Sequence, residues 1–444
     1  MKRIKNLQES DFLKLVFAFI TAAFLIAAPC MSDRDQMIPG LLRILSEPCK
    51  VATSNFAVGG YAATFLNMGL VALICLGLFV GLKAKADQVS TLAFILTTGF
   101  GAWGIHPMNM WPSMLGVVLY ALVKRERLGN LVNAMLFSTG IAPLLTDLMI
   151  RYPHAEVIGF NLPGIALSVL VGAAIGFFLP AGLASSPNVH KGYDLYSAAF
   201  PVGMTAFFLN ATLYKTIGLE LPGAPAAETL QIASPLTVNL FCGILFGTCI
   251  LAAFLLGCKP KDYWRLLTDP DLVRNFSSTY GNAVFLMNLG IFGLFIVGYY
   301  NLIGATFNGV TFGVIFCMLS TCNSGSHPGN VWPIMLGYVL SSVVFGWLSR
   351  ISGGNFAMTI NSQSIVVGLC YANGLSPISD KYGWRYGVLA SVMHYLLVTS
   401  VPNLHGGFCL YNGGFTAALI CAILVPELER FCKTKDERML VKAK

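Results

Sequence analysis

The sequence predicts an all-α integral membrane protein, with about fourteen hydrophobic segments arranged as two inverted seven-segment repeats. Three observations carry that expectation: composition, an internal duplication, and the placement of basic residues. Of 444 residues, 56% are hydrophobic and 11% charged, where a soluble domain carries about 25% charged residues. The duplication is plainest in Gly-Ile-His-Pro-Met-Asn-Met-Trp-Pro-Ser-Met-Leu-Gly at 104–116, which returns as Gly-Ser-His-Pro-Gly-Asn-Val-Trp-Pro-Ile-Met-Leu-Gly at 325–337. Extended to Leu119 and Leu340, the copies agree at 11 of 16 positions with a constant offset of 221. The matches include His, Asn, Trp and two Pro, which an apolar composition does not supply by chance.

Each half opens with an apolar helix, at 12–30 and 236–257, followed by a polar connector. The connectors match as Arg-Ile-Leu-Ser-Glu-Pro at 43–48 and Arg-Leu-Leu-Thr-Asp-Pro at 265–270. Asn55-Phe56 and Asn275-Phe276 then introduce a second helix, whose copies share Gly60/Gly281, Ala62/Ala283, Asn67/Asn288 and Gly69/Gly290. A third segment (88–103; 306–321) leads into the HPxNxWP motif, and a fourth (110–123; 331–347) leads out. Segments 88–103 and 110–123 fall short of the ~20 residues a span needs. The motif is therefore read as a broken helix or a re-entrant hairpin. A fifth helix is expected near Asn133 or Asn355, and a sixth at 161–181 or 384–401. A second shared motif, PNxHxGxxLYxxxF, covers 187–200 and 402–415 and leads to the last helix, at 194–213 or 411–426.

Seven segments per half invert the second repeat relative to the first, and a third–fourth hairpin would keep the count odd. Basic residues agree. With the N-terminus cytoplasmic and sides alternating, the large majority of the 28 Lys and Arg fall inside, as the positive-inside rule requires. Lys2, Arg3, Lys5, Lys83, Lys85, Lys124, Arg125, Arg127, Lys259, Lys261 and the C-terminal tail all contribute. The expected organisation is an N-terminal repeat (1–213), a linker (214–234) containing Pro-Gly-Ala-Pro at 222–225, an inverted repeat (235–426) and a basic cytoplasmic tail (427–444). Residues 1–30 have the outline of a secretory signal, but the apolar run is long and has an equivalent at 236–257, so it is kept as a span.

The 12 cysteines form no CxxC pair and mostly lie in apolar runs, where they act as small hydrophobes. No metal site and no disulfide framework is expected. Basic residues do not interleave with exposed aromatics, so nucleic acid is not an expected partner.

The run Gly-Leu-Ser-Pro-Ile-Ser at 374–379, Tyr-Gly-Trp at 382–384, Leu-His-Gly-Gly at 404–407 and Leu-Tyr-Asn-Gly-Gly-Phe at 410–415 resembles a bacterial multi-spanning membrane family. That family is known as domain of unknown function 1576, and the His-x-x-Asn-x-x-Pro-x-Met-Leu-Gly pattern is similar to it in both halves. The resemblance implies a bacterial inner-membrane protein and brings no substrate or catalytic residue. The N-terminal copy departs from the pattern, with Lys191 and Asp194 where the C-terminal copy has Gly406 and Cys409.

In HPxNxWP, Pro107 and Pro328 push the preceding histidine out of helical geometry. Asn109 and Asn330 are then expected N-caps, ahead of helix starts whose free N–H groups suit a polar or anionic solute. His106, Asn109, Trp111, His327, Asn330 and Trp332 are the candidate solute-binding residues; the alternative is that they only satisfy broken helix ends. His190, Tyr196, His405 and Tyr411 are candidate gating residues, against an interfacial-turn role. Asp147 is a rare acid in an apolar run, with Arg151 at i+4 as its expected partner. His394 is expected to be a satisfied core histidine.

No Walker loop, HExxH or GxSxG motif occurs, which disfavours an ATP-driven pump and a hydrolase. The functional expectation is a secondary-transporter-like permease for a small polar or anionic solute, with its site between the repeats. No cofactor is expected beyond a coupling ion, Na⁺ or H⁺. The alternatives are a passive channel and, less favoured, a membrane-embedded enzyme. Lipid and the solute are the expected partners, and self-association is left open. Both termini should be cytoplasmic: a fluorescent-protein fusion at the C-terminus should glow and a periplasmic phosphatase fusion there should be inactive, the reverse pattern refuting the fourteen-segment arrangement.

Overall fold

The computed structural model describes residues 7–47, 53–153, 159–221, 234–269 and 275–442. Lys2, Arg3, Lys5, Pro48, the 222–225 linker stretch, Pro270 and Lys444 lie outside the described residues. All regular structure among the described residues is helical. Seven helices are long and apolar enough to cross a membrane, which is compatible with a multi-pass membrane protein: Glu9–Cys30, Tyr61–Gly81, Val132–Arg151, Leu162–His190, Pro235–Leu255, Asn282–Leu302 and Pro328–Ile351. Gln88–Phe100, Trp111–Lys124 and Gly309–Asn323 are shorter apolar helices.

The order of elements in the first half recurs in the second. Met37–Ser46 answers to Pro260–Thr268, Tyr61–Gly81 to Asn282–Leu302, Gln88–Phe100 to Gly309–Leu319, and Leu162–Ser185 to Trp384–Val398. Caps recur with them. Gly60 and Gly281, at φ +87° and +93°, begin the two long second helices, a conformation glycine adopts without steric penalty. Asp87 and Asn308 cap the third helices through Ser90 N and Thr311 N.

At the centre lie two short helices, Gln88–Phe100 and Gly309–Leu319, buried from Ser90 onward in the first and throughout in the second. They touch through small residues. A Cβ on Gly313 would stand 2.5 Å from Gly99 O, and one on Gly99 would stand 2.8 Å from Gly313 O. Cys317 Sγ meets Leu96 O at 3.8 Å, and these two positions are equivalents in the duplication. Contact of a residue with its own counterpart marks a local two-fold relation between the helices.

Other contacts exchange between halves in the same way. Gly309 N donates to Ser54 Oγ at 2.8 Å, while Asn275 Nδ2 donates to Gln88 Oε1 at 2.9 Å. Leu195 N donates to Gly374 O, and Leu410 N to Gly140 O, at 3.0 and 2.9 Å. Each PNxHxG turn thus rests on the break in the other half's fifth helix. Those breaks are 3-10 turns, Thr139–Ile141 and Asn373–Leu375, and the ring carbons of Tyr411 and Tyr196 occupy the space a Cβ on Gly140 or Gly374 would need.

Three expectations are corrected. The fifth helix of the second half begins at Gln363, not near Asn355; the chain from Asn355 runs non-helically, and Met358 O accepts from Tyr395 Oη. The final helix of the first half starts at Ala199 rather than 194, then continues as a π-helix over Asn210–Thr216, whose last three residues enter the stretch expected to be linker. The second-helix connectors align one residue differently, because Ser54 and Asn275 are the equivalent N-cap positions. Helix Pro328–Ile351, at 24 residues, is longer than its counterpart Trp111–Lys124, at 14.

Packing at the crossing should dominate stability. Gly313→Val should destabilise the protein by about 1–3 kcal/mol through overpacking, whereas Gly77→Ala, with nothing within 4 Å of its Cβ, should be neutral or stabilising; unfolding titrations in detergent check both.

Candidate functional site

The HPxNxWP turns are built by asparagine. Each third helix ends before its chain turns, freeing carbonyls inside the protein. Asn67 Nδ2 donates to Gly101 O (2.7 Å) and Ile105 O (2.8 Å), and Asn288 Nδ2 repeats this on Cys322 O (2.8 Å) and Ser326 O (3.0 Å). Asn109 Nδ2 donates to Gly104 O at 2.9 Å and Asn330 Nδ2 to Gly325 O at 2.8 Å. Their Oδ1 atoms accept from His106 N and His327 N, each at 3.0 Å.

Asn109 and Asn330 are therefore not N-caps in the expected sense. Helix Pro328–Ile351 starts after His327, so Asn330 lies within its first turn and reaches back; Trp111–Lys124 starts after Met110. The side chain closes the turn from inside because proline leaves the preceding His N–H pointing away from any helical acceptor. Beyond this shared clamp the halves diverge. Asn109 Nδ2 also meets Thr146 Oγ1 (2.9 Å), and His106 Nε2 lies 3.2 Å from the same hydroxyl. Asn330 Nδ2 instead donates to Asp380 Oδ2 at 2.6 Å. Thr146 and Asp380 occupy the same place, three residues after the proline of Gly-x-x-Pro at 140–143 and 374–377.

His106, Asn109, His327 and Asn330 are buried, whereas Trp111 and Trp332 are 52% and 42% exposed. The structure does not bring the tryptophans into the asparagine clamps. Trp332 lies beside Trp384, with ring centroids 6.0 Å apart, and Trp111 lines an apolar surface hollow with Met108 and Leu115.

The four residues of the second motif are all buried. Tyr196 Oη lies 2.9 Å from Cys317 O and 3.1 Å from Cys370 O, and accepts from Asn373 Nδ2 at 3.1 Å. It thus ties its own turn to the second half's core. Tyr411 has no hydroxyl partner and packs edge-on against Phe100 at 5.4 Å. His190 Nδ1 accepts from Gly192 N (3.1 Å), which leaves Nε2–H to donate to Ser197 Oγ (2.9 Å). His405 packs on Phe415, with neither ring nitrogen bonded.

Beside His190 opens a cavity of about 470 Å³, a size typical of small-molecule sites. Gln88, Asn130, Asn133, Asp194 and Ser197 supply polar groups from the first half, and Ser324 supplies one from the second. Asp194 is 2% exposed; its Oδ1 accepts from Tyr196 N at 2.9 Å, and its Oδ2 has no partner. Ser324 stands one residue before the second Gly-x-His-Pro, where the first half has Trp103. Trp103 is buried with its ring over Gly313, whereas Ser324 donates to Gln88 O at 3.2 Å and leaves the cavity open.

Residues 33–215 and 259–430 match the model of a family described as "Protein of unknown function (DUF1576)". The chain belongs to this family. One matched stretch lies in each half, so the DUF1576 match takes in both asparagine clamps and both PNxHxG turns. Comparison with curated proteins and with solved structures gives no match.

Sequence reading of this DUF1576 chain noted Asp194 only as a departure between copies, and passed over Thr146, Asp380 and Ser324. The available signal was the Gly-x-x-Pro repeat, which aligns Thr146 with Asp380. Asp147 does pair with Arg151, at 3.0 Å, and Tyr214 Oη adds a bond to its other oxygen at 3.1 Å. His394 is satisfied by Tyr338 Oη (2.7 Å) and Gly413 O (2.8 Å).

Since each clamp saturates buried backbone groups, Asn109→Ala and Asn330→Ala should each lower unfolding free energy by about 1–3 kcal/mol or more. Unchanged stability in either variant, measured by denaturant titration in detergent, would show that the asparagine is not holding its turn.

Proposed function

We propose that this protein is a secondary transporter for a small polar solute, built from two inverted repeats, with its solute site in the cavity beside His190, Asp194 and Ser324. The observation that carries the reading is the exchange of turns: the PNxHxG turn of each half sits on the helix break of the other. A two-fold relation of this kind, taken with the odd number of segments per half read from the sequence, supports an axis in the membrane plane. Ser324 and Gly325 then share one face with Pro187 and Asp194, while Gly104 shares the other with Leu410. The ion pairs of the tail suit the cytoplasmic assignment, since Lys191 joins Glu429 and Lys381 joins Asp436 at the face that carries most basic residues.

Irregular backbone at membrane depth is tolerated where it is buried or lines a cavity, and here the breaks are buried. Trp103, Tyr196 and Tyr411 are buried around the helix crossing, which favours a carrier that opens one side at a time over a permanently open pore. Rocking of one half against the other about the Gly99–Gly313 contact would expose the cavity alternately to each side.

Topology gives the test. In a cysteine-free background, a cysteine at Met108 should react with a membrane-impermeant thiol reagent from outside only, and one at Gly329 from inside only. Labelling of both from one face would mean parallel repeats, and the transporter reading would fall with the inversion.

A further inference from the structure

The cavity beside Asp194 is asymmetric in chemistry as well as in space. Two residues of its wall each carry a buried oxygen to which nothing donates, Asp194 Oδ2 and Asn133 Oδ1. The donors nearby are engaged elsewhere. His190 Nε2–H is held by Ser197, the Ser324 hydroxyl by Gln88 O, and Lys191, the basic residue of the same turn, by Glu429. Tyr196 N already serves the other carboxylate oxygen and fixes the orientation of Asp194. Gly374 allows that orientation, since a Cβ there would lie 2.6 Å from Asp194 Oδ1.

A carboxylate removed from water without a counter-charge is strongly unfavourable, and either a proton or a cation that arrives from outside the fold relieves it. Most of the rest of the wall is apolar, with Leu92, Phe137 and Leu183 prominent. A bare metal ion would leave most of a cavity of about 470 Å³ unfilled and its apolar surface uncovered. We propose that this cavity binds an organic monocation, a protonated amine carrying a compact apolar body, with the ammonium group on Asp194 and Asn133. This deepens the transporter reading and replaces the anionic solute class with a cationic one. The second half cannot offer the same site, because Cys409 stands in the place of Asp194 and Trp103 in the place of Ser324.

Benzylammonium is a suitable probe, with benzyl alcohol and benzoate as neutral and anionic controls of the same shape. Calorimetric titration into the purified full-length protein should give saturable binding of benzylammonium alone. Asp194→Asn should weaken it about tenfold or more, as expected for loss of a charged hydrogen bond. Asp194→Cys, which installs the residue of the other repeat, should do the same, and Ser324→Trp should abolish binding by filling the cavity. Size-exclusion profiles identify any variant that fails to fold, and the remaining ones decide the question. Equal binding of benzoate or benzyl alcohol, unchanged affinity in a folded Asp194 variant, or saturation by Na⁺ with exclusion of benzylammonium would overturn the proposal. Counterflow in proteoliposomes separates the two readings. Asp194-dependent binding without counterflow would keep the cation site and remove transport, whereas counterflow of another solute unaffected by Asp194→Asn would keep transport and remove the cation site.

Discussion

Backbone groups inside so apolar a chain have no water to turn to, and the asparagine clamps are the answer to that constraint. Where the third helices stop, six carbonyls turn into the protein: Gly101, Gly104, Ile105, Cys322, Gly325 and Ser326. Four side chains, Asn67, Asn109, Asn288 and Asn330, bond all six, and Asn55 adds a second bond to Gly101 O. Leaving a buried polar group unpaired costs about 1–3 kcal/mol, so failure of even one asparagine would be felt throughout. The short helices, the turns and the positions of the fourth helices all follow from this arrangement.

The clamps also explain why the halves interlock rather than merely abut. A helix that ends early leaves room at its tip, and that room is filled by the other half's PNxHxG turn. Tyr196 shows the coupling most directly: it belongs to the first half by sequence, yet bonds carbonyls and an amide of the second. The Gly99–Gly313 approach gives the two short helices a contact surface of backbone rather than side chain, which favours close crossing at a defined angle.

Much of this was legible because duplication makes a sequence its own control. Asn67 and Asn288 stood out as paired polar residues in apolar helices, and the double HPxNxWP announced broken helices. Their bonding partners were not legible, since Asn67 reaches carbonyls 34 and 38 residues away, a separation that no helical period relates. Local reading failed where tertiary contact overrides propensity, as at Asn355, whose extended run is held by Tyr395. Trp111 and Trp332 lie apart from the clamps, and their repetition has a second explanation. Repetition shows that a residue is needed in the fold, and a surface tryptophan is needed at the lipid boundary as readily as in a site. Asp194 was visible as a departure from the repeat, but its lone oxygen depends on where Lys191 and Tyr196 point.

Trp103 and Ser324 began, in a duplicated chain, as the same position. One is now a plug of indole and the other a small hydroxyl beside an open chamber. For the carrier proposed above, detailed balance forbids such a difference from deciding where a solute accumulates, because that depends only on gradients and coupling. What unequal walls would set is the concentration at which each face half-saturates. A carrier made of two copies of one design would in this way present different appetites to the two sides of the membrane, with a single pair of side chains setting the contrast.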